Sequence, residues 1–382
     1  MHFKLAWLKL TKNKTALLVS LSGVAFICIA IFFHLGFKDA LYDSATALND
    51  SLNCQLVLIN PLYQNVIDTK AIPRARLYEC RGINGVEGVS YLNVFTAIWK
   101  NPQNGQKRQI SVIGCDPNTR PLKLAIDENR WTKLKLLNNV LYDEYSRELF
   151  GPVVEQISHH ESVTAEVNNH QIAVAGLFAM YPSFALDGAI LTSNATFSLL
   201  SPNYSPDQIS IGLVNVRKDV DPERMRELLQ KRFGKDILVV TRAEFADLEK
   251  KYWEVTTPIG FQYGLGLMVI IVVGMVIVYQ ILFTDINHHL PQYATLKAIG
   301  FTQGFLTKLV IKEALLLGLL GFVPAFLLSY ALFFYSCQIT KLPVSMNETR
   351  CLVVLVVDLV MCIASAVIAT RKLNDADPAE IF

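Results

Sequence analysis

One carboxylate stands alone in an apolar stretch near the end of the chain. Asp358 occupies the middle of the run LVVLVVDLVMCIAS, and a charge at the centre of a bilayer costs about 2.5 to 3.5 kcal/mol on insertion scales. We therefore expect it to be protonated, paired or turned toward other helices. His34, near the outer end of the first apolar run, is a candidate partner. The alternatives are a packing contact between helices and a proton relay. Packing is favoured, because no second buried acid or base continues a path.

The other candidates for chemistry do not form a catalytic constellation. His159 and His160 are adjacent, and on a strand their side chains would face opposite ways, which argues against a shared metal. Asp143, Glu144 and Glu148 are interpreted as the solvated face of a helix. The sequence contains no GxxxxGKS/T, GxSxG or HExxH motif, and no GxGxxG after a strand. We therefore expect no enzyme, no metal and no cofactor held by this chain itself.

Four apolar segments must position these residues. One of the segments precedes a long polar block, and the other three follow it. The chain is 52 % apolar with a mean hydropathy of +0.33. At about 1.5 Å per residue the first segment alone would form a helix of roughly 34 Å, enough to span a bilayer. The predicted boundaries are an interfacial helix at 1–14, spans at 15–37, 262–284, 314–335 and 351–370, an outer domain at 38–257, an inner loop at 285–313, a short outer loop at 336–350 and a tail at 371–382.

The distribution of charge predicts the orientation in the membrane. Four lysines and no acid precede the first span, and Arg371 and Lys372 follow the last. By the positive-inside rule both ends are expected in the cytoplasm, which places the block at 38–257 outside. That block carries 24 basic and 26 acidic residues. Its slightly negative net charge argues against nucleic acid as a partner.

The outer block alternates strands with helices, which predicts an α+β domain. The first elements read in the order β-α-β-β, and a second set of strands and helices follows. Seven cysteines are spread along the chain without metal-like spacing. Cys337 and Cys351 lie at the two ends of the short outer loop, where they either pair in an oxidising compartment or remain free thiols.

The inner loop carries the pattern of a short helix. Pro291 suits the first turn, Gly300 is a natural stop, and Leu296 and Lys297 follow Tyr293 at three- and four-residue spacing. Such a helix would offer an aromatic and an aliphatic side chain to a groove in a partner protein. The alternative is a helix packed on its own subunit.

Several segments resemble the MacB and FtsX type of ABC permease. The start, LAWLKLTKNKTALLVSLSGVAF, resembles the entry segment of these proteins, and RKLNDADPAEIF resembles their Pro-Ala-Glu ending. The stretch YATLKAIGFTQGFLTKLVIKEALLLGLLG resembles their coupling segment and third span. LGFKDALYDSA, the hairpin WKNP at 99–102 and YATLKAIG are similar to the DevC family, the membrane subunit of the DevBCA exporter of cyanobacteria.

This resemblance implies a MacB-like fold with four spans and a large outer domain. It implies a homodimer in the lipid bilayer of a bacterial, cyanobacterial-type inner membrane. The partners would be a DevA-like ABC ATPase that binds the ATP, a DevB-like periplasmic adaptor of the membrane fusion type and a TolC-like outer-membrane channel. The cargo would be a glycolipid or a similar amphiphile. An FtsX-like signalling subunit that controls an extracytoplasmic hydrolase is the alternative function.

The resemblance also assigns the contact with the ATPase to the inner loop. Relatives usually carry an acid where Gln292 stands in this chain, so the match departs from the family pattern at that position. The residues that the resemblance places in the coupling contact are Pro291, Tyr293, Leu296, Lys297, Ile299, Gly300 and Phe301.

Overall fold

The computed structural model describes residues 14–180, 187–202, 204–340 and 342–373. The predicted interfacial helix, except for its last residue, and the tail after residue 373 lie outside these ranges. The α-helices of the described residues are α1 (Lys14–Ala45), α2 (Ala47–Ser51), α3 (Arg74–Glu79), α4 (Glu128–Lys133), α5 (Val153–Ser158), α6 (Asn194–Leu200), α7 (Pro222–Phe233), α8 (Arg242–Lys251), α9 (Pro258–His288), α10 (Leu290–Ala298), α11 (Gln303–Thr340) and α12 (Glu348–Ala369).

The strands lie between α2 and α8, and a wider helical turn follows them. A π-helical segment, Tyr252–Thr256, joins α8 to the residues just before α9. The strands of the described residues are β1 (Leu56–Ile59), β2 (Ile72–Pro73), β3 (Val86–Lys100), β4 (Lys107–Cys115), β5 (Asn139–Asp143), β6 (Val163–Val167), β7 (His170–Phe178), β8 (Ala189–Ser193), β9 (Gln208–Ile209), β10 (Ile211–Val216) and β11 (Leu238–Thr241).

The chain divides into two compact units. The helical unit comprises residues 1–40, 259–340 and 344–382, and the sheet unit comprises residues 41–258 and 341–343. Four helices of the described residues, α1, α9, α11 and α12, are long and apolar enough to cross a membrane by length and composition. The helices α1, α9 and α11 extend beyond the predicted spans at both ends, and α12 extends beyond its span at its start. Hydropathy marks only the apolar part of a helix, while its backbone hydrogen bonds continue into polar residues.

Small residues let the four long helices approach one another closely. A Cβ atom at Gly23 of α1 would lie 3.1 Å from Ile281 of α9, and one at Gly36 would lie 2.5 Å from the ring of Phe333 in α11. Gly274 of α9 meets Met361 of α12 in the same way, at 2.4 Å. Close backbone approach through small residues is the usual way in which membrane helices gain van der Waals contact without a hydrophobic driving force.

The sheet unit is built on nine strands in the order β11-β1-β10-β3-β4-β8-β5-β7-β6. Neighbours are antiparallel except for β4 with β8 and β5 with β7, which run parallel. The long strand β3 pairs with β10 along its first half, with β4 along its second half and with β6 at its end. The two strand and helix sets read from the sequence therefore merge into one continuous sheet.

Turn and capping residues explain why these elements begin and end where they do. Asn168 and Asn169 both adopt positive φ in the tight turn between β6 and β7, a conformation that asparagine tolerates well. Asp221 caps α7 by accepting a hydrogen bond from the backbone of Glu223, and Thr241 forms a capping box with Glu244 at the start of α8. The prediction of an α+β chain with four long apolar helices is confirmed.

Candidate functional site

The inner loop forms the helix α10, which ends in a glycine with left-handed backbone. Pro291 lies in the first turn of α10, and Gly300 follows its last residues with φ of 102°. The backbone N–H of Gly300 donates to the carbonyl of Lys297 at 3.0 Å, and that of Phe301 donates to the carbonyl of Leu296 at 3.1 Å. These bonds satisfy carbonyl groups at the helix end, and the positive φ explains why glycine suits this position.

The exposed surface of this segment lies just after the helix. Ile299 is 71 % exposed and Phe301 is 39 % exposed, and the Phe301 ring packs against Phe305 with centroids 4.5 Å apart. Tyr293, by contrast, is buried. The expectation that Tyr293 offers its ring to a partner is therefore wrong, because the helix turns that face toward its own chain. Leu296 and Lys297 are half-buried.

Asp358 lies where α12 packs against Gly318 of α11. Its side chain is fully buried, and a Cβ atom at Gly318 would lie only 2.8 Å from Oδ2 of the carboxyl group. The thiol of Cys362, one turn further along α12, lies 3.8 Å from Oδ1. The carboxyl group therefore fills the space that Gly318 leaves open.

His34 makes a different contact and does not meet Asp358. Its Nε2 lies 2.7 Å from the carbonyl oxygen of Tyr263, and its ring covers Gly266 of α9. The pairing of His34 with Asp358 considered from the sequence is not formed, because each residue packs against a different helix. His34 contacts α9, whereas Asp358 faces α11.

A second buried acid lies on α11, which the sequence interpretation missed. Glu313 is 1 % exposed and stands five residues before Gly318. The predicted third span began at the following residue, so Glu313 was assigned to the inner loop. The premise that no further buried acid accompanies Asp358 is therefore wrong.

An ion pair between α1 and α12 lies against an aromatic ring of α11. The guanidinium of Arg350 in α12 is bonded to Oδ2 of Asp39 in α1 through Nε at 3.2 Å and Nη2 at 2.7 Å. Nη1 donates to the carbonyl of Ser345, and the guanidinium carbon lies 5.7 Å from the ring centre of Phe333 in α11. In the sequence, Asp39 and Arg350 are two charged residues beside different apolar runs. Hydropathy therefore could not reveal that they pair.

The sheet unit contains a buried glutamate at the end that leads toward α9. Glu249 of α8 accepts hydrogen bonds from the Tyr63 hydroxyl at 2.6 Å, the backbone N–H of Val66 at 3.0 Å and the indole N–H of Trp253 at 2.9 Å. Burial raises the pKa of Glu249, although these three hydrogen bonds act in the opposite direction. The carboxylate thus joins the loop after β1 to α8 and to the π-helical segment.

We expect Glu249→Gln to loosen this connection. A glutamine has one acceptor oxygen and one donor nitrogen, so it cannot satisfy both the Val66 N–H and the Trp253 N–H. A buried donor left without an acceptor costs about 1 to 3 kcal/mol. The hydrogen-exchange rates of the amides in α8 and the π-helical segment should rise at least severalfold. The control Glu227→Gln, at an exposed residue of α7, should leave these rates unchanged. Unchanged exchange in the Glu249 variant would contradict a structural role for these bonds.

The sheet unit contains a second buried carboxyl group, that of Asp143. Its burial corrects the interpretation of Asp143, Glu144 and Glu148 as the solvated face of a helix. Asp143 ends strand β5, is fully buried, and accepts hydrogen bonds at Oδ1 from the backbone of Met180 and Tyr145. Burial raises its pKa from 3.8 to about 8, with the nearby Glu144 adding a smaller contribution and the two backbone hydrogen bonds opposing it. Asp143 therefore does not lie on a solvated helical face, whereas Glu144 and Glu148 are exposed.

The cysteines and histidines show no arrangement for chemistry in the described part of the chain. All seven cysteines are free thiols, Cys337 and Cys351 included. Within the ranges that the structure describes, no group of three or more His, Cys, Asp or Glu side chains could hold a metal ion. His159 follows α5 and His160 has a φ of 63°, and both are exposed.

Comparison with known proteins finds a family that the C-terminal part of the chain resembles. Residues 264–378 match the family described as FtsX-like permease C-terminal. This segment contains most of α9 and all of α10, α11 and α12. The C-terminal third of the chain is thus similar to the FtsX-like permease family, and the match supports an ABC-type permease subunit.

Solved structures are similar to the chain over about half its length. The periplasmic region of MacB from Actinobacillus actinomycetemcomitans aligns with a TM-score of 0.37 and 12 % identity, over 52 % of this chain and 92 % of that one. The extracellular domain of the noncanonical ABC-type transporter YknZ from Gram-positive bacteria gives 0.34 and 13 %, over 49 % and 99 %. A domain of a putative permease protein from Porphyromonas gingivalis gives 0.32 and 17 %, over 50 % and 90 %. No curated protein matches the sequence.

Proposed function

We propose that this chain is the permease subunit of an ATP-driven exporter of the MacB and DevC type. A separate ABC ATPase binds and hydrolyses ATP, because the sequence carries no P-loop. The permease transmits the motion of that ATPase across the inner membrane to the sheet unit outside. Both chain ends lie in the cytoplasm in this proposal, in accord with the lysines before the first span.

The observation that carries the proposal is the exposed end of α10. Ile299 and Phe301 stand on a short segment between two membrane-spanning helices, and Gly300 holds them in a fixed turn. Exposed aliphatic and aromatic side chains on a short helical segment are suited to a groove in a partner protein. Pro291, Leu296 and Lys297 position this surface and flank it, while Tyr293 anchors the helix to its own chain.

The finer features of the proposal come from the likeness to DevC segments. They are a homodimer, a DevB-like adaptor, a TolC-like channel and a glycolipid or similar amphiphile as cargo. The extent of the nine-stranded sheet unit supports docking of an adaptor. An FtsX-like subunit that signals to an extracytoplasmic hydrolase uses the same coupling surface, so the decisive difference is whether an amphiphile moves.

The coupling surface is tested by Ile299→Asp. A charge at an exposed anchor should weaken ATPase binding roughly thirtyfold or more, since truncating an interface anchor costs about 2 kcal/mol or more. The permease and its cognate ABC ATPase should be reconstituted together in nanodiscs. Co-purification and the stimulation of ATP hydrolysis by the permease are then measured. Both should fall strongly in the variant.

The matched control is Leu62→Asp, which places the same charge at a comparably exposed residue of the sheet unit. It should leave ATPase binding and stimulation unchanged. Wild-type binding by the Ile299 variant would remove the coupling assignment. Vesicles that hydrolyse ATP without moving any labelled glycolipid, but that activate an added cell-wall hydrolase, would replace export by signalling.

A further inference from the structure

The nine-stranded sheet ends differently at its two sides. The strand β6 pairs with β7, and its last two residues also pair with β3. The strand β11 has one strand neighbour among the described residues, β1. An edge strand presents a row of N–H and carbonyl groups that another extended chain can use, and the sequence LVVT of β11 has the β-branched composition that favours pairing. A tenth strand would therefore add at β11.

The register of β11 with β1 shows which of its groups point outward. The N–H of Arg242, the residue after β11, donates to a carbonyl just before β1 at 3.1 Å. Because residues of an antiparallel pair alternate between facing the partner and facing away, Val240 and Leu238 also face β1. The N–H groups of Val239 and Thr241 therefore point to the side where a tenth strand would lie.

Both of these outward N–H groups already have an acceptor from a helix. The N–H of Val239 donates to Oε1 of Gln230 in α7 at 2.8 Å. The N–H of Thr241 donates to Oε2 of Glu244 in α8 at 2.8 Å, as part of the capping box. Val239 is fully buried as a result. The edge of the sheet is thus closed by side chains at the positions where a strand would bond.

The amide of Gln230 bonds to β11 as a peptide group of a parallel strand would. Its Nε2 donates to the carbonyl of Ile237 at 3.1 Å, while Oε1 accepts from Val239. In a parallel pair, a residue likewise donates to the residue before its partner and accepts from the residue after it. A glutamine amide offers the same donor and acceptor as the backbone. A further bond from Nε2 to the carbonyl of Gly234, at 2.6 Å, holds the amide in place.

We propose that Gln230 is an edge guard, a side chain that takes the place of a tenth strand on β11 and keeps out an extended segment of a second copy of this chain. Copies that lie in one membrane meet at high local concentration, and each carries the same edge. Without the amide, the N–H of Val239 and the carbonyl of Ile237 lose this partner and become the pairing groups of an open edge. The inference does not depend on the coupling surface and holds whether the complex exports or signals.

The test measures the binding of a strand to the full chain in nanodiscs. The probe is a fluorescent peptide of residues 236–242, DILVVTR, which stands for the edge of a second copy. Fluorescence anisotropy should show that it binds Gln230→Ala roughly tenfold or more tightly than the wild type, because main-chain hydrogen bonds supply the affinity of an added strand. The control Lys231→Ala changes the next residue of α7, which is exposed, and should bind the peptide as weakly as the wild type.

A second peptide distinguishes strand pairing from adhesion of apolar side chains. The same peptide, N-methylated at its interior residues, keeps its side chains but has no interior N–H group to donate. It should not bind Gln230→Ala, whereas adhesion through side chains would leave its binding intact.

A second variant and a second measurement cover the case in which Gln230→Ala does not fold. Gln230→Leu keeps most of the side-chain volume and removes both bonds to the strand. In either variant the Val239 amide should exchange its hydrogen roughly tenfold or more faster than in the wild type, measured by mass spectrometry with electron-transfer fragmentation. Addition of the unmodified peptide should slow this exchange again.

Three results would overturn the inference. The first is equal binding of the unmodified peptide to the wild type and to the Gln230 variants. The second is equally tight binding of the N-methylated peptide. The third is an unchanged exchange rate of the Val239 amide in the variants, which would show that Gln230 does not protect the edge.

Discussion

Asp39→Ala should destabilise the protein by about 3 kcal/mol, the lower end of the cost of breaking a buried ion pair. The unequal exposure of the two side chains explains the size of this effect. The Arg350 side chain is 7 % exposed and that of Asp39 is 47 % exposed. Removing Asp39 leaves a nearly buried cation whose remaining contacts among the described residues include the Ser345 carbonyl and the Phe333 ring, neither of which carries a negative charge. The melting temperature of the full chain in nanodiscs should fall by several degrees.

Two comparisons separate this effect from an ordinary loss of charge. Arg350→Met should reduce the stability less than Asp39→Ala does, because water can solvate the half-exposed Asp39 carboxylate. When Arg350→Met is combined with Asp39→Ala, it should restore much of the lost stability, because no buried cation is then left unpaired. Asp43→Ala breaks an exposed pair with Lys250 at 3.7 Å, and surface pairs contribute about 0 to 1 kcal/mol. Equal losses in Asp39→Ala and Asp43→Ala would contradict a special role for the Arg350 pair.

Asp143→Asn should stabilise the sheet unit at neutral and alkaline pH. The pKa of Asp143 is raised in the folded state, so the stability linked to this group is fully present below its unfolded value and is lost as the pH rises toward 8. Between pH 4 and pH 7 that loss is about 4 kcal/mol. Asparagine carries no charge at any pH and therefore removes this loss.

The measurement is the difference in melting temperature between variant and wild type as a function of pH. The difference should be near zero at pH 4 and about 10 °C at pH 8, since roughly 2 to 4 °C accompany each kcal/mol in a unit of this size. Glu144→Gln changes the next residue, whose side chain is exposed, and should give a small difference with little dependence on pH. A constant difference for Asp143→Asn would show that its carboxyl group is ionised throughout.

The long-range architecture followed from patterns that a single sequence displays. The four apolar runs and the alternation of strands and helices determine the fold class, because burial requires hydrophobic periodicity in each element. The short helix α10 was predicted from Pro291 and Gly300, whose backbone preferences are local. The cap at Asp221 depends on preferences of the same local kind.

The polar clusters could not be predicted, because they depend on contacts between distant segments. Asp143 sits in a run of acids that looks solvated, and only the strand partners of β5 bury it. Glu249 is bonded to Tyr63, which precedes it by 186 residues. Arg350 and Asp39 are 311 residues apart. Tyr293 has the spacing of an exposed residue, and its burial depends on which neighbours α10 meets.

The close contact at Gly318 limits how the third and fourth spans can move. Sliding α11 by one turn, about 5.4 Å, would bring Ala314 or Phe322 to the place where Gly318 now faces the carboxyl group of Asp358. Either side chain would collide with it, because even one added carbon atom would come within 2.8 Å. The contact at Gly318 therefore couples these two helices, so that a sliding motion within the helical unit is expected at other helix contacts instead.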